Sequence, residues 1–155
     1  MDKVLLSGIG GALAALVMEG IPLLANFFGI HSTTYTQMNM YMFMGVLQAS
    51  SLTSYIAGFL GHLVAGAFAS CLFIHYLYWT KDYQNILSKA LFYGTVLWLV
   101  AFGFVSNVII KITDKHTGLC IIIALGDHLV YGIVLALFID KYQIKLFGKE
   151  PSKNR

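Results

Sequence analysis

Two carboxyl groups and two imidazoles, Glu19, Asp127, His62 and His128, lie deep inside stretches of sequence that are otherwise almost free of charge. An isolated carboxylate away from water is costly and tends to stay protonated, whereas a protonated imidazole nearby keeps it ionised. Groups of this kind in an apolar setting can bind an ion, exchange a proton or hydrogen-bond a ligand. Tyr131 follows Asp127 by four residues and His128 by three, which puts its phenol on the same helical face. Ser106 and Asn107 add a hydroxyl and an amide from another apolar stretch. The candidate ligand or ion site is therefore Glu19, His62, Asp127, His128, Tyr131 and Asn107.

Three chemistries compete for these residues. The imidazoles could hydrogen-bond across a tight helix interface and serve structure alone. They could belong to a ligand, ion or proton site. Equivalent histidines on facing helices, each with a glycine four residues on, could also hold one b-haem between them. A further set, Met38, Met40, Met42 and Met44, alternates with Asn39, Tyr41 and Phe43. Thioethers suit Cu(I), so this array could capture copper on the way to His62 or His128. On a helix, alternate side chains point about 200° apart, so the four sulfurs converge only on an extended segment, and adaptable packing is the simpler role. Cys71 and Cys120 form no Cys-x-x-Cys pair and read as small apolar fillers. No nucleophile elbow, zinc-protease helix, Walker loop or dinucleotide fingerprint is present, so enzymatic chemistry is not expected.

The elements that must position these groups are the apolar stretches themselves: Val4–Ala25, Tyr55–Trp79, Ala90–Ile110 and Leu119–Ile139. Each is near or above the roughly 20 residues a helix needs to cross a bilayer. They contain two acidic residues and no Lys or Arg. At 155 residues, 58% hydrophobic and 11% charged, the chain suits one membrane domain, residues 1–155, and not a soluble one. Lys3 followed by an apolar run and Ala12-Leu13-Ala14 resembles a signal peptide, but the run continues to Ala25, so the first span is expected to be retained. A net charge of +3 does not call for nucleic acid, because the basic residues flank the spans. Eight of them fall on the side of the N-terminus, the second connection and the C-terminus, against two, Lys111 and Lys115, on the other side. That bias predicts both termini in the cytoplasm. His75, among Tyr76, Tyr78 and Trp79, reads as an interfacial anchor, and His31 and His116 as loop residues.

The first outer connection, Asn26–Ser54, has no Asp, Glu, Lys or Arg, and is expected to lie in the outer interface with a short helix around Gln37–Ala49. Pro22, three residues after Glu19, is expected to kink the first span and free the carbonyl of Met18. Helical rise places Glu19 about 9 Å, His62 about 10 Å and the Asp127–His128 pair about 12–14 Å from the outer ends of their spans. All four thus share an outer polar layer.

His-Leu-Val-x-Gly occurs at His62–Gly66 and again at His128–Gly132, 66 residues apart. Span 1 aligns with span 3 at a separation of 83, pairing Gly11 with Gly94 and Gly20 with Gly103. The expected architecture is all-α, with four transmembrane helices arranged as two parallel copies of a helical hairpin. Each histidine sits in a small-residue row, Gly58-His62-Gly66-Ser70 and Ala124-His128-Gly132-Ala136, which predicts that the second and fourth spans meet.

The closing helix Asp127–Ile139 and the third-helix segment Leu91–Val100 resemble small four-helix bacterial membrane proteins of the YagU and YqhR types. The resemblance implies a bacterial cytoplasmic-membrane protein whose biochemical role is unassigned. Taken together, these readings describe an outward-facing polar site for ligand or ion binding, with permeation as its extension. The rivals are a structural accessory subunit of a larger membrane complex and a single-haem electron-transfer subunit. Expected partners are the lipid bilayer and either further copies of the chain or that larger complex.

Overall fold

The computed structural model of the chain describes residues 2–45, 51–110 and 118–148, and for residues 107–110 only the backbone. Its elements are α1 (Lys3–Phe27), α2 (Tyr35–Met44), α3 (Leu52–Thr80), α4 (Ile86–Trp98), which continues as a π-helical segment over Leu99–Ile110, and α5 (Gly118–Phe147). Four of the helical stretches, Lys3–Phe27, Leu52–Thr80, Ile86–Ser106 and Gly118–Phe147, are long and apolar enough to cross a membrane.

Local chemistry explains most of the boundaries. The Asp2 carboxylate accepts the Val4 N–H at 2.9 Å and starts α1. Gly29, with φ of +79°, ends it in a left-handed turn closed by Gly29 N–H to Asn26 O and Ile30 N–H to Ala25 O. Thr34 starts α2 with a capping box: its hydroxyl accepts the Gln37 N–H, and the Gln37 side chain accepts the Thr34 N–H. Ser51 caps α3 through the Ser54 N–H at 3.1 Å. α1 is helical through Pro22, which is buried.

The helices extend past the expected spans. α4 begins at Ile86 and not Ala90, and α5 runs on from Ile139 to Phe147, with a non-helical bend at Tyr142. Apolarity ends before backbone hydrogen bonding does: the added turns of α5 carry Asp140, Lys141 and Lys145, yet bury Gln143 and Leu146. α2 starts two residues before Gln37, and Val46–Ala49 of the expected segment lie outside the described residues. The π-helical continuation of α4 was not expected. Its i→i+5 bonding stacks residues five apart, so Val100 and Val105 share one wall.

α1 sits between α3 and α5, α4 packs along α5, and α2 lies on α3 and on the π-helical segment. The expected meeting of the second and fourth spans is replaced by contacts within each hairpin. A methyl group on Gly66 would overlap Ala15 and the Gly11 carbonyl of α1, so the α3 stripe faces α1. A methyl on Gly132 would overlap the Ala90 carbonyl, and one on Gly94 the His128 carbonyl, so the α5 stripe faces α4. α3 and α5 are joined by a side chain, Tyr131 of α5 donating to the Gly66 carbonyl at 2.7 Å. α3 and α4 are splayed, linked by Tyr93, which donates to the Ala69 carbonyl at 2.7 Å and stacks on Phe73.

Lys3 lies over the ring of Tyr78, 5.7 Å from its centroid, and Lys89 pairs with Asp82. The start of α1, the end of α3 and the start of α4 therefore share one end of the bundle with their basic residues.

Candidate functional site

The polar layer assembles around a residue that spacing did not single out, Tyr35. The capping box at Thr34 leaves the first N–H groups of α2 without helical partners. Glu19 of α1 supplies them: one carboxylate oxygen accepts from Tyr35 N–H at 3.0 Å and the other from Thr36 N–H at 3.1 Å. A carboxylate at a helix N-terminus also meets the positive end of the helix dipole. Glu19 is thus both buried and satisfied, with His62 Nε2 3.7 Å from its nearer oxygen.

This docking drives the Tyr35 ring into the bundle between the two histidines. It stacks on His62 with centroids 5.2 Å apart and meets His128 edge-on at 5.1 Å. Its hydroxyl donates to Asp127 Oδ1 at 2.7 Å and lies 3.0 Å from His128 Nδ1. Burial first, then the charge of Asp127 and the hydrogen bond to it, and last Glu19, push the Tyr35 phenol well above its ordinary pKa. The hydroxyl is therefore a standing donor.

The histidines have different local partners. His62 Nε2 bonds the Ala15 carbonyl of α1 at 3.0 Å, so that nitrogen carries the proton. His128 Nδ1 lies 2.7 Å from the Ala124 carbonyl, one turn back on its own helix, and 3.2 Å from Asp127 Oδ1, so there the proton is on Nδ1. His62 Nδ1 and His128 Nε2 make no hydrogen bond among the described residues.

Both rings line a cavity of about 250 Å³ between α3 and the π-helical segment. Tyr35, Tyr131 and Asn39 supply the rest of its polar lining, while Ala65, Ala69, Leu97, Val100, Ala101 and Val105 form apolar walls. Ala65 and Val100 are exposed, which puts a mouth between the splayed helices. A second cavity, of about 350 Å³, has Glu19 and Thr36 in its lining, and the buried Thr36 hydroxyl has no hydrogen-bond partner among the described residues.

Of the expected site residues, Glu19, His62, Asp127 and His128 are brought together around Tyr35, and Tyr131 lines the same cavity. Ser106 is buried, while the side chain of Asn107 lies outside the described residues, as does His116. Tyr35 and Thr36 were missed. Their signal was the Thr34-x-x-Gln37 capping pattern, which fixes a helix start and leaves N–H groups for a carboxylate.

The haem expectation does not fit this geometry. Tyr35 fills the space between the imidazoles that a porphyrin plane would need, and His62 Nε2 is turned to Ala15. The methionines divide as a helix requires: Met38 and Met42, four apart, line the histidine cavity, whereas Met40 packs against Gly58. The four sulfurs do not form one array. Among the described residues no group of three or more His, Cys, Asp or Glu side chains is placed to hold a metal.

Over the described residues, the fold and this layer define an all-helical bundle with four membrane-length apolar helices and a buried carboxylate–imidazole–phenol cluster. The chain belongs to DUF6789, a family of unknown function, whose profile matches residues 1–145. No curated protein and no solved structure matches it.

Proposed function

We propose that this chain is a multi-pass membrane protein that binds a small, largely apolar ligand in the cavity between α3 and the π-helical segment. The single observation that carries the reading is the composition of that cavity: apolar walls, an open side, and a floor made of Tyr35, His62, His128 and Tyr131. Pockets with mostly hydrophobic lining and a few convergent polar groups are the usual form of small-molecule sites. The four apolar helices support insertion in a bilayer, and the mouth would then open sideways to lipid. The clustering of Lys3, Lys89 and their partners at one end supports cytoplasmic termini, by the bias of short cytoplasmic loops towards Lys and Arg. The likeness of the second half to proteins of the YagU and YqhR types supports a bacterial cytoplasmic membrane. Two parallel hairpin copies are supported by the repeated motif, each copy packing its glycine stripe on its own hairpin partner.

The test uses the full chain in lipid nanodiscs with Trp79→Phe, which leaves Trp98 as the one indole, beside the cavity wall residue Leu97. A brominated alkylbenzene should quench Trp98 saturably. Ala101→Phe, or Ala65→Phe if the first variant does not fold, should abolish the saturable phase by filling the cavity. Unchanged quenching in a folded blocked variant would remove the cavity from consideration and favour the accessory-subunit reading.

A further inference from the structure

We infer that the ligand of this cavity is a hydrogen-bond donor, specifically a phenol or hydroquinone carrying an apolar tail; the inference rests on the binding role proposed for the cavity. The reason lies in where each polar lining group has already spent its proton. His62 gives its Nε2 proton to Ala15, and His128 gives its Nδ1 proton to Ala124. In each singly protonated ring the other nitrogen is a lone pair. Tyr131 donates its hydroxyl proton to Gly66, and Tyr35 donates to Asp127, so both phenol oxygens also offer lone pairs. Asn39 donates an amide N–H to the Tyr35 carbonyl, which leaves its Oδ1 as an acceptor and one spare N–H. The lining therefore presents acceptors on three elements and almost no free donors.

A ligand with only acceptors, such as an ether or an ester, would face lone pairs with lone pairs. One with O–H groups would complete bonds that the protein leaves unmade, and buried acceptors without partners are costly. The body of the ligand follows from size and wall chemistry. A dry cavity of about 150 Å³ can hold benzene, so the space of about 250 Å³ here accommodates a substituted single ring. Met18, Met38 and Met42 line it, and thioethers make favourable contacts with aromatic rings. The exposed Ala65 and Val100 at the mouth leave an exit for a tail. Hydroquinone, with two O–H groups, can meet two of the acceptors in this lining and is the fuller match, and a simple phenol is the minimal one.

The experiment is displacement of the brominated alkylbenzene from the Trp79→Phe protein by three probes of equal tail length: a 4-alkylphenol, its methyl ether and the parent alkylbenzene. The phenol should displace at a concentration about fivefold to tenfold below the ether, because one satisfied hydrogen bond contributes about 1–1.4 kcal/mol. His128→Phe should bring the phenol to within about twofold of the ether while the alkylbenzene still binds. If the variant does not fold, His128→Gln serves instead and should reduce the preference. Equal displacement by all three probes would overturn the donor inference and leave the apolar cavity standing. An ether equal to the phenol but better than the hydrocarbon would overturn it as well, since the lining would then be donating. Binding of every probe unaffected by Ala101→Phe would remove the cavity and this inference together.

Discussion

A carboxylate faces a nitrogen base at two ends of this bundle, and the closer pair is the one expected to matter less. Asp82 and Lys89 meet at 2.6 Å at the turn between α3 and α4, with the Asp82 side chain 54% exposed. Glu19 and His62 are 3.7 Å apart, with side chains 5% and 7% exposed. Water reaches both partners of the first pair and is largely kept from the second. What holds Glu19 is not mainly His62 but two backbone N–H groups of α2, which make no other hydrogen bond among the described residues. Burial, and not separation, sets the cost of breaking each pair.

The largest expected effect is therefore at Glu19. Glu19→Ala strands two buried N–H groups, at about 1–3 kcal/mol each, and undocks the start of α2. Chemical unfolding in detergent should show a loss of about 2–6 kcal/mol, with Glu19→Gln losing less because its amide keeps one acceptor oxygen. A loss no greater than that of an exposed-turn variant would break the contrast between the two ends.

Next comes Tyr35→Phe, which keeps the stacking on His62 and removes only the hydroxyl. Asp127 then loses its shortest hydrogen bond, at 2.7 Å, and stability should fall by about 1–3 kcal/mol. Unfolding free energies of the single and double variants with Asp127→Asn give the check. A double variant no worse than the worse single one shows that the two groups act as a pair, and simple additivity would argue against it.

The two copies of His-Leu-Val-x-Gly sharpen the comparison within the buried layer. His62 ties α3 to α1, whereas the Ala124 bond of His128 lies within α5. His62→Leu should lower the unfolding free energy more than His128→Leu, by about 0.6–2 kcal/mol, the range for one interhelical hydrogen bond in such bundles. Equal losses would mean that the Tyr35 contacts, shared by both rings, outweigh the bonds that differ.

Much of this was legible in the sequence, for a physical reason. Apolar length marked the four long helices, and the rarity of charge within them singled out Glu19, His62, Asp127 and His128, four members of the cluster. Its centre was not legible, because Tyr35 sits in a connection whose lack of charge suggested an interface, and nothing in a tyrosine announces burial. The partner of each glycine stripe was also beyond reach. A small-residue row says that some backbone comes close, but Gly66 against Gly11 and Gly132 against Ala90 are choices of tertiary packing that the row itself does not encode. The π-helical register after Trp98 has no proline to signal it, so nothing in the sequence marks the wall formed by Val100 and Val105.

The smallest effect should come from Asp82, and its pH dependence makes the contrast quantitative in sign. The hydrogen bond from Lys89, then that from the Gln84 N–H, hold the Asp82 carboxyl below its usual pKa in spite of slight desolvation. A folded-state pKa below the unfolded value means that the ionised group favours the folded state above the unfolded pKa, and that this contribution disappears as pH falls through the folded one. Asp82→Asn should therefore differ from the parent by a barely resolvable amount at pH 7, and by nothing once the medium is acidic enough to protonate Asp82 in both states. High salt should shrink the neutral-pH difference further, since both partners are within reach of solvent. Unfolding curves of the two proteins at pH 7 and in acid, with and without salt, test this directly. A large loss at pH 7 that persists in salt would show that the turn is anchored as firmly as the buried layer, and the distinction between the two ends would have to be drawn on something other than burial.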